Sequence, residues 1–389
     1  MDVMNEVLKH RQYGVDLRRH FHRHPELSWQ EFETAKRIRQ ELTEMGIPYV
    51  EVAGTGTVAT IKGDRDKPVI GLRCDIDALP IREVKDLPYR SENEGIMHAC
   101  GHDSHITMLL LAAKVLSEHK DELHCTVKLF FQPAEEAMNG AQKILETGLA
   151  DDLDTVAGMH IFPYLPCGTI SVEEGPRYTS AGFMRIKIIG KSGHGAMPQF
   201  LVDPIYVGAK VVDALQSIVS REVNPNDTLV ISICTFHSGS LPNIFDQTAE
   251  LTGTVRTFNA ELAKELPDII ERVVRNTCAA YRAECEYDYY CNIPATINDA
   301  RCSTIAEGSV KKILGDKGLV KYTKTPGGED FAYFLERTPG VYAFVGCRNE
   351  EKDCCYSLHH DHFDLDEDAM FNGAAFYVQY LLDAQEQQW

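Results

Sequence analysis

The feature of this sequence that most constrains its fold is an alternation of short apolar strands with an apolar helical segment. Residues 69–72 and 126–131 are short, apolar and β-prone, and residues 106–116 between them have the composition and length of a buried helix. Strands that alternate with helices form a parallel or mixed sheet with both faces covered. We therefore predict an α/β fold.

An amphipathic helix is predicted ahead of the first of these strands. Apolar residues recur at spacings of three and four between Phe32 and Met45, and Gly46 follows as a stop signal. Ser28 precedes this pattern and Glu31 stands three residues later, which is the spacing of a capping box. We expect Ser28 to cap the helix and Glu31 to bond back to it.

The pattern changes at about residue 181 and indicates a second domain. Residues 183–189 alternate like a half-exposed strand, and helix, strand, strand, helix and strand patterns follow. Their approximate bounds are 204–219, 228–236, 248–258, 261–281 and 285–290. This β-α-β-β-α-β order is typical of a compact open-faced sandwich. We predict that residues 181–290 form an inserted domain within a discontinuous first domain of residues 1–180 and 291–389.

The composition excludes several partners and indicates a compartment. There are 39 Lys and Arg against 58 Asp and Glu, so the formal net charge is −19. A surface this acidic, without a basic run, argues against binding to nucleic acid or to membrane surfaces. The 12 cysteines are irregularly spaced without a Cys-x-x-Cys pair, and the first residues lack the apolar core of a signal peptide. We expect a reduced, cytoplasmic protein.

Residue types that bind metals are concentrated at residues 97–105, which read MHACGHDSH. The thiolate of Cys100 and the imidazole of His102 can converge if the backbone turns at Gly101. Taken singly, each of these residues is more often part of a structural loop ahead of a buried helix. The segment therefore becomes a metal-site candidate only together with further ligands.

Further ligands follow the predicted strands, at the sheet edge where α/β proteins bind ligands. Glu135 and Glu136 follow one strand and could divide metal binding and general-base catalysis between them, although acidic pairs are also common at helix N-termini. His160 ends an apolar run, and residues 358–363 add a histidine cluster. A thiolate, a carboxylate and imidazoles suit a pair of Zn²⁺, Mn²⁺, Co²⁺ or Ni²⁺ ions better than Ca²⁺ or Mg²⁺.

In these motifs the sequence resembles the aminoacylase and carboxypeptidase-like metallo-amidohydrolases, in the branch of hippurate hydrolases, N-acyl-amino-acid amidohydrolases and auxin-conjugate (IAA-amino-acid) hydrolases. The matching segments are HRHPELS at 22–28, RCDIDALP at 73–80, MHACGHD at 97–103, QPAEE at 132–136, GMH at 158–160, GHGAMP at 193–198, GTVRTF at 253–258, GEDF at 328–331 and LHHDHF at 358–363. The resemblance covers nearly the whole chain. It implies a mixed-sheet α/β/α metallopeptidase-like catalytic domain and an inserted open-faced α/β sandwich that serves as a lid and pairs subunits into a homodimer.

The resemblance also implies a binuclear metal site. Its ligands would be Cys100, His102, Glu136, His160 and His359, with Cys100 bridging the two ions. His359 is preferred to the other histidines of its cluster because the family pattern places the ligand directly after the leucine.

Four more roles are implied for residues outside the ligand set. Glu135 would be the general base, and Asp75 would orient a ligand or tune the base. His194 of the lid would donate a hydrogen bond to the oxyanion. Asn243 and Arg256 would hold a substrate carboxylate, although Arg256 could equally be a surface ion-pair partner.

The implied reaction is hydrolysis of the amide bond of an N-acyl amino acid or related conjugate, by a metal-bound water that Glu135 activates. A dipeptidase or small carboxypeptidase with the same mechanism is the alternative, and a non-catalytic binding protein of the same fold is a further one. Substrate choice stays open because the sequence departs from the family pattern near the cleft and lid. The departures include Ala137, Gln199, Phe245, His360 and Asp361.

Overall fold

The computed structural model describes residues 1–322 and 324–389. The chain divides into two compact units. Unit 1 contains residues 1–177, 297–322 and 330–389, and unit 2 contains residues 178–296 and 324–329. The insertion predicted at 181–290 lies within unit 2, which also includes short flanking segments and residues 324–329.

The helices and strands are numbered here in chain order. The helices are α1 (Val3–Lys9), α2 (Arg11–Arg23), α3 (Phe32–Glu44), α4 (His102–Glu118), α5 (Gly140–Leu145), α6 (Pro204–Ser217), α7 (Ala260–Ala280), α8 (Ala300–Leu314), α9 (Ala332–Leu335) and α10 (Asp368–Ala384). The strands are β1 (Tyr49–Val52), β2 (Gly56–Lys62), β3 (Val69–Asp75), β4 (Thr126–Gln132), β5 (Thr155–Pro166), β6 (Ile170–Ser171), β7 (Gly175–Tyr178), β8 (Ser180–Ile189), β9 (Gly193–His194), β10 (Leu229–His237), β11 (Ile244–Phe245), β12 (Thr248–Thr257), β13 (Glu284–Ile293), β14 (Thr296–Asn298) and β15 (Gly340–Arg348).

Unit 1 is built on a seven-stranded mixed sheet in the order β1-β2-β4-β3-β5-β15-β6. The central strands β4, β3, β5 and β15 are parallel to one another, whereas β1, β2 and β6 pair antiparallel with their neighbours. The predicted α/β class with a mixed sheet is confirmed. Every residue of β3 is buried, which is expected of a central parallel strand covered on both faces.

Two ionisable side chains lie at the carboxyl end of β3, on the same face of the strand. Leu72 and Cys74 join the large apolar core that includes α4 and α10. Arg73 and Asp75 point to the opposite face because successive side chains of a strand alternate. Both are completely buried, so their charges depend on partners within the protein.

Unit 2 has a four-stranded antiparallel sheet in the order β10-β12-β8-β13, with its own apolar core shared by α6 and α7. Buried and partly exposed residues alternate along β12, and partly exposed and exposed residues alternate along the edge strand β13, so one face of the sheet packs on the helices and the other is more open. This is the predicted open-faced sandwich.

The predicted capping box at α3 is wrong. The helix begins at Phe32, but its N-cap residue Glu31 makes no side-chain cap. Ser28 Oγ instead donates to Asp77, and Glu31 accepts from the backbone N–H of Ala134. These partners are distant in sequence, and Glu31 also accepts locally from the backbone N–H of Trp29 rather than from that of Ser28.

In the described part of the chain, no helix is both long enough and apolar enough to cross a membrane.

Candidate metal centre

Cys100 and His102 lie on either side of a tight turn that starts α4. Gly101 has a φ of +83°, in the left-handed region that favours glycine, and a Cβ there would come within 2.7 Å of the Ile161 side chain. His102 is the first residue of the helix, which begins four residues earlier than predicted. The turn therefore directs a buried thiol and a buried imidazole toward the same region.

His160 lies in the middle of β5, which continues to Pro166. The prediction that the strand ends at His160 is therefore wrong. The parallel partner β15 continues past it, and Phe344 is its neighbour across the sheet. The Nδ1–H group of His160 donates to the carbonyl of Ile161 at 2.6 Å. Nε2 therefore carries a lone pair and lies 3.3 Å from Cys100 Sγ. Burial lowers the pKa of His160, which keeps the ring neutral.

His359 approaches Cys100 from the C-terminal part of the chain. Its backbone N–H donates to Ala99, and its Nε2 atom lies 3.3 Å from Cys100 Sγ and 3.4 Å from Glu136 Oε1. About half of the His359 side chain is exposed, whereas Cys100 is buried. Cys100 is thus in contact with two imidazoles that come from different segments.

The five predicted ligands form two groups that share Cys100. The donor atoms of Cys100, His102 and His160 all lie within 4.8 Å of one another, as do those of Cys100, Glu136 and His359. His102 Nε2 and Glu136 Oε1 lie 4.0 Å apart, and both are buried without a hydrogen-bond partner among the described residues. Buried polar atoms without partners are costly, and bound ions would satisfy them. These residues therefore fit two divalent transition ions.

The second ring nitrogen of His102 is held by a carboxylate that the sequence prediction missed. Asp77 Oδ1 lies 3.2 Å from His102 Nδ1, and Asp77 Oδ2 accepts from the backbone N–H of Glu136 and from Ser28 Oγ. Burial disfavours the charged ring, but the carboxylates of Asp75 and Asp77 outweigh burial and raise the pKa of His102 to about 10. One carboxylate thus positions one predicted ligand side chain and the backbone of another.

Asp75 hydrogen-bonds to His105, which is not one of the predicted ligands. Its Oδ1 atom accepts from His105 Nδ1 at 2.6 Å, its Oδ2 atom accepts from Arg73 at 2.8 Å, and it lies 3.7 Å from His102 Nδ1. His105 Nε2 accepts from the backbone N–H of Ile161, so both of its nitrogens are occupied. Asp77 stands two residues after Asp75, on the same face of an extended chain, and this spacing could have indicated it.

Glu135 lies beside the two donor groups that share Cys100 but belongs to neither of them. It is buried, and its Oε2 atom lies 4.0 Å from His102 Nε2. The backbone turns at Ala134, which has a φ of +53°, directly after β4. The turn brings the adjacent carboxylates of Glu135 and Glu136 close to the same imidazole. In the metal-free protein, burial and these two carboxylates raise the pKa of the Cys100 thiol well above its ordinary value.

Two of the predicted residues in unit 2 are neighbours. Strands β9 and β11 pair His194 with Ile244, and the N–H of Gly195 donates to the carbonyl of Asn243. His194 Nδ1 accepts from the N–H of Ala196, so the neutral ring has its proton on Nε2 and can donate from there. His194 is exposed.

Arg256 is not brought together with His194 and Asn243 in unit 2. It pairs with Ala181 across the sheet, whereas the end of the sheet that leads to His194 pairs Thr248 with Ile189. Eight residues of strand separate these positions, which is about 27 Å. Arg256 donates to backbone carbonyls and packs over Phe183. No carboxylate contacts it within the described residues, and burial lowers its pKa.

The sequence is similar to known proteins over most of its length. A protein-family profile described as Peptidase family M20/M25/M40 matches residues 71–383. The chain is 40% identical over 367 residues to an N-acetylcysteine deacetylase of Bacillus subtilis (strain 168), covering 94% of this chain and 95% of the relative. It is 36% identical over 378 residues to the thermostable carboxypeptidase 2 of Saccharolobus solfataricus, covering 96% of this chain and 95% of the relative.

A solved structure extends the similarity to the fold. The YXEP protein of Bacillus subtilis, described as a dinuclear metal binding peptidase from the M20 family, superposes with a TM-score of 0.84 at 36% identity. The match covers 97% of this chain and 98% of that structure. The fold with its mixed sheet is therefore shared with an M20-family protein of solved structure.

Proposed function

Because this chain belongs to the peptidase family M20/M25/M40 and is a hydrolase of that family, we propose that it is a metal-dependent amidohydrolase acting on N-acyl amino acids or related conjugates. The observation that carries the proposal is the pair of donor groups that share Cys100, with the carboxylate of Glu135 beside them. The proposed ligands are Cys100, His102, Glu136, His160 and His359.

The chemistry of this reaction divides among the proposed residues. When bound, two divalent ions would polarise the substrate carbonyl and make a water molecule more acidic. Glu135 would take a proton from the attacking water and return it to the nitrogen of the leaving amine. The Nε2–H group of His194 would donate a hydrogen bond to the negative charge that develops on the carbonyl oxygen.

The substrate class is supported by an unneutralised cation as well as by similarity. Arg256 has no carboxylate partner among the described residues, and a guanidinium can bind a carboxylate in a bidentate manner. We propose Arg256 and Asn243 as separate candidates for contact with a substrate carboxylate, because they are far apart within unit 2 and one copy of the unit does not bring both to one small substrate. Since a deacetylase and a carboxypeptidase are both similar to this chain, a carboxypeptidase or dipeptidase is the second candidate. Rates on acetyl, benzoyl, indoleacetyl and aminoacyl amino acids would separate the two.

The role of Glu135 is tested by the substitution Glu135→Gln. It should lower kcat by about 10²- to 10⁴-fold because the amide cannot exchange the proton, while the metal content stays at the wild-type level. Glu136→Gln should instead lower the metal content, and the exposed Glu146→Gln serves as the control. Normal turnover in Glu135→Gln would refute the assignment of the base.

We also propose that unit 2 pairs two copies of the chain. Apolar side chains on α6 and β10 are exposed, among them Ile205, Tyr206 and Val230. Strand β10 lies at the edge of its sheet, and an edge strand offers backbone groups to a strand of another chain. Light scattering should give a dimer mass for the wild type and a lower mass for Val230→Asp. Val84→Asp, at an exposed apolar residue of unit 1, is the control.

A cytoplasmic location is proposed from the state of the thiols. All twelve cysteines are free, and reducing compartments keep thiols unpaired. Cell fractionation with an antibody to the protein would test this location.

A further inference from the structure

We propose that His360, Asp361 and His362 form a third cation site, which takes a divalent transition ion and is separate from the two groups that share Cys100. The three donor atoms lie within 4.8 Å of one another. The side chains are between 43% and 47% exposed, in contrast to the buried Cys100. An ion at this site would therefore exchange with solvent more readily than ions held by the buried groups.

The spacing of the donor atoms matches that of ligands around one ion. His360 Nδ1 lies 3.1 Å from Asp361 Oδ1, and His362 Nδ1 lies 2.7 Å from the same oxygen. Transition ions bind imidazole nitrogen and carboxylate oxygen at about 2.0–2.2 Å, which places neighbouring ligand atoms about 3.0–3.5 Å apart. Small side-chain rotations would thus bring all three atoms to one ion.

Two acceptor atoms of the cluster lie close together. The backbone N–H of His362 donates to His360 Nδ1 at 3.0 Å, so this nitrogen is an acceptor. The Asp361 carboxylate oxygen, which is also an acceptor, lies 3.1 Å from the same nitrogen. Because a ring nitrogen has one lone pair, an ion bound there would replace the His362 N–H as its partner and would attract both acceptors. His362 would give up its Nδ1 proton to the solvent when the ion binds.

The cluster is also held in place before any ion binds. The ring of Tyr356 packs against both imidazoles, with centroid distances of 5.0 Å to His360 and 5.2 Å to His362. The backbone carbonyl of Asp361 accepts from Val84, and that of His360 accepts from Phe363. Because these contacts already restrict the rings, binding an ion would cost less side-chain entropy than at mobile surface histidines.

The site is tested by counting ions in the full-length protein. Metal-stripped protein should be dialysed to equilibrium against Co²⁺, and the bound cobalt should be measured at increasing free concentration. We expect the double variant His360→Ala/His362→Ala to bind one ion per chain fewer than the wild type at saturation. The control is His124→Ala, which removes a surface histidine that contacts Asp64 but has no second imidazole. It should bind as many ions as the wild type.

A second measurement shows where the ion lies. In protein labelled at histidine, adding Zn²⁺ beyond the amount that saturates the buried groups should shift the ring resonances of His360 and His362. Asp361→Asn should move that transition to a higher Zn²⁺ concentration while leaving the fold intact. Equal ion counts in the wild type and the double variant would overturn the proposal, as would unshifted His360 and His362 resonances. Neither readout uses catalysis, so the third site and the amidohydrolase function can fail separately.

Discussion

The Oδ1 atom of Asp77 lies 3.2 Å from the Nδ1 atom of His102. Since a carboxylate accepts the Nδ1 proton, the opposite nitrogen of the ring is the one directed at Glu136 and the other donor atoms. The same carboxylate accepts the backbone N–H of Glu136. Asp77 therefore couples two of the proposed ligands, which lie 34 residues apart in the chain, through hydrogen bonds to a single side chain.

Replacing Asp77 with Asn should weaken the metal site without removing a ligand. An amide binds the Nδ1–H group of the His102 ring more weakly than a carboxylate does. Substitution of a residue that orients a metal ligand costs about 10- to 100-fold in metal affinity or activity. A competition titration with a chromophoric chelator would measure the affinity. Asp121→Asn, at an exposed carboxylate, is the control. Unchanged affinity in Asp77→Asn would contradict the role assigned to the hydrogen bond.

Gly101→Ala should destabilise the protein more than Gly46→Ala. Both glycines have positive φ, so alanine costs about 1–2 kcal/mol at either position. A Cβ at Gly101 would also collide with the Ile161 side chain, which adds about 1–3 kcal/mol, whereas Gly46 has open space. Urea unfolding of the metal-free proteins measures both values. Equal losses would show that the packing at Gly101 contributes nothing.

Arg18→Met should cost about 3–5 kcal/mol of unfolding free energy, because it removes the buried guanidinium that pairs with two carboxylates at once. Arg18 is completely buried and donates to Asp103 at 2.9 Å and to Asp364 at 2.8 Å. The neighbouring Arg19 pairs with Glu367 at the surface, and Arg19→Met should cost less than about 1 kcal/mol. Denaturant titrations of the two variants would compare them, and similar losses would argue against a buried network.

Stability should fall in acid partly through Asp364. Burial raises the pKa of Asp364, but the charge of Arg18 outweighs burial and lowers it below its ordinary value. Because the folded pKa is lower than the unfolded one, the contribution is complete above the unfolded pKa of about 3.9 and is lost as the pH falls through the folded pKa. The unfolding free energy of Asp364→Asn should therefore fall less steeply between pH 5 and 3. A slope equal to that of the wild type would exclude this carboxylate as a cause.

Removing metal should lower the thermal stability of the protein. A ligand that binds only the folded state stabilises it by about 2.7 kcal/mol at 100 times its Kd. We expect a chelator to lower the Tm, and added Zn²⁺ or Co²⁺ to restore it. The rise in Tm on adding metal should be smaller in Cys100→Ser, because both donor groups use that thiol. A Tm that is insensitive to chelator and metal would be inconsistent with the proposed centre.

Much of the fold was predictable because its signals are local. The periodicity that predicts α3 and the alternation along the strands of unit 2 reflect burial of one face, which nearby residues determine. The candidate ligands were also recognisable from residue type and motif. The sequence thus predicted the α/β class, the open-faced sandwich and the metal-binding residue types without knowledge of any contact.

The hydrogen bonds that organise the site depended on tertiary structure. Ser28 and Asp77 are 49 residues apart in sequence, yet their bond replaces the expected helix cap. The choice of Asp77 over Asp75 as the partner of His102 depends on where α4 meets the end of β3.

The sequence by itself therefore indicated the α/β class, the main apolar and amphipathic elements and the residue types that can bind metal, because periodicity and side-chain chemistry are properties of short segments. Only the tertiary structure decided that Asp77 contacts His102, that His160 lies within a strand, and that Arg256 is remote from His194 in unit 2. The physical reason is that hydrogen bonds and ligand groups require separations of about 3 Å. Such separations between distant segments are set by the packing of the whole core.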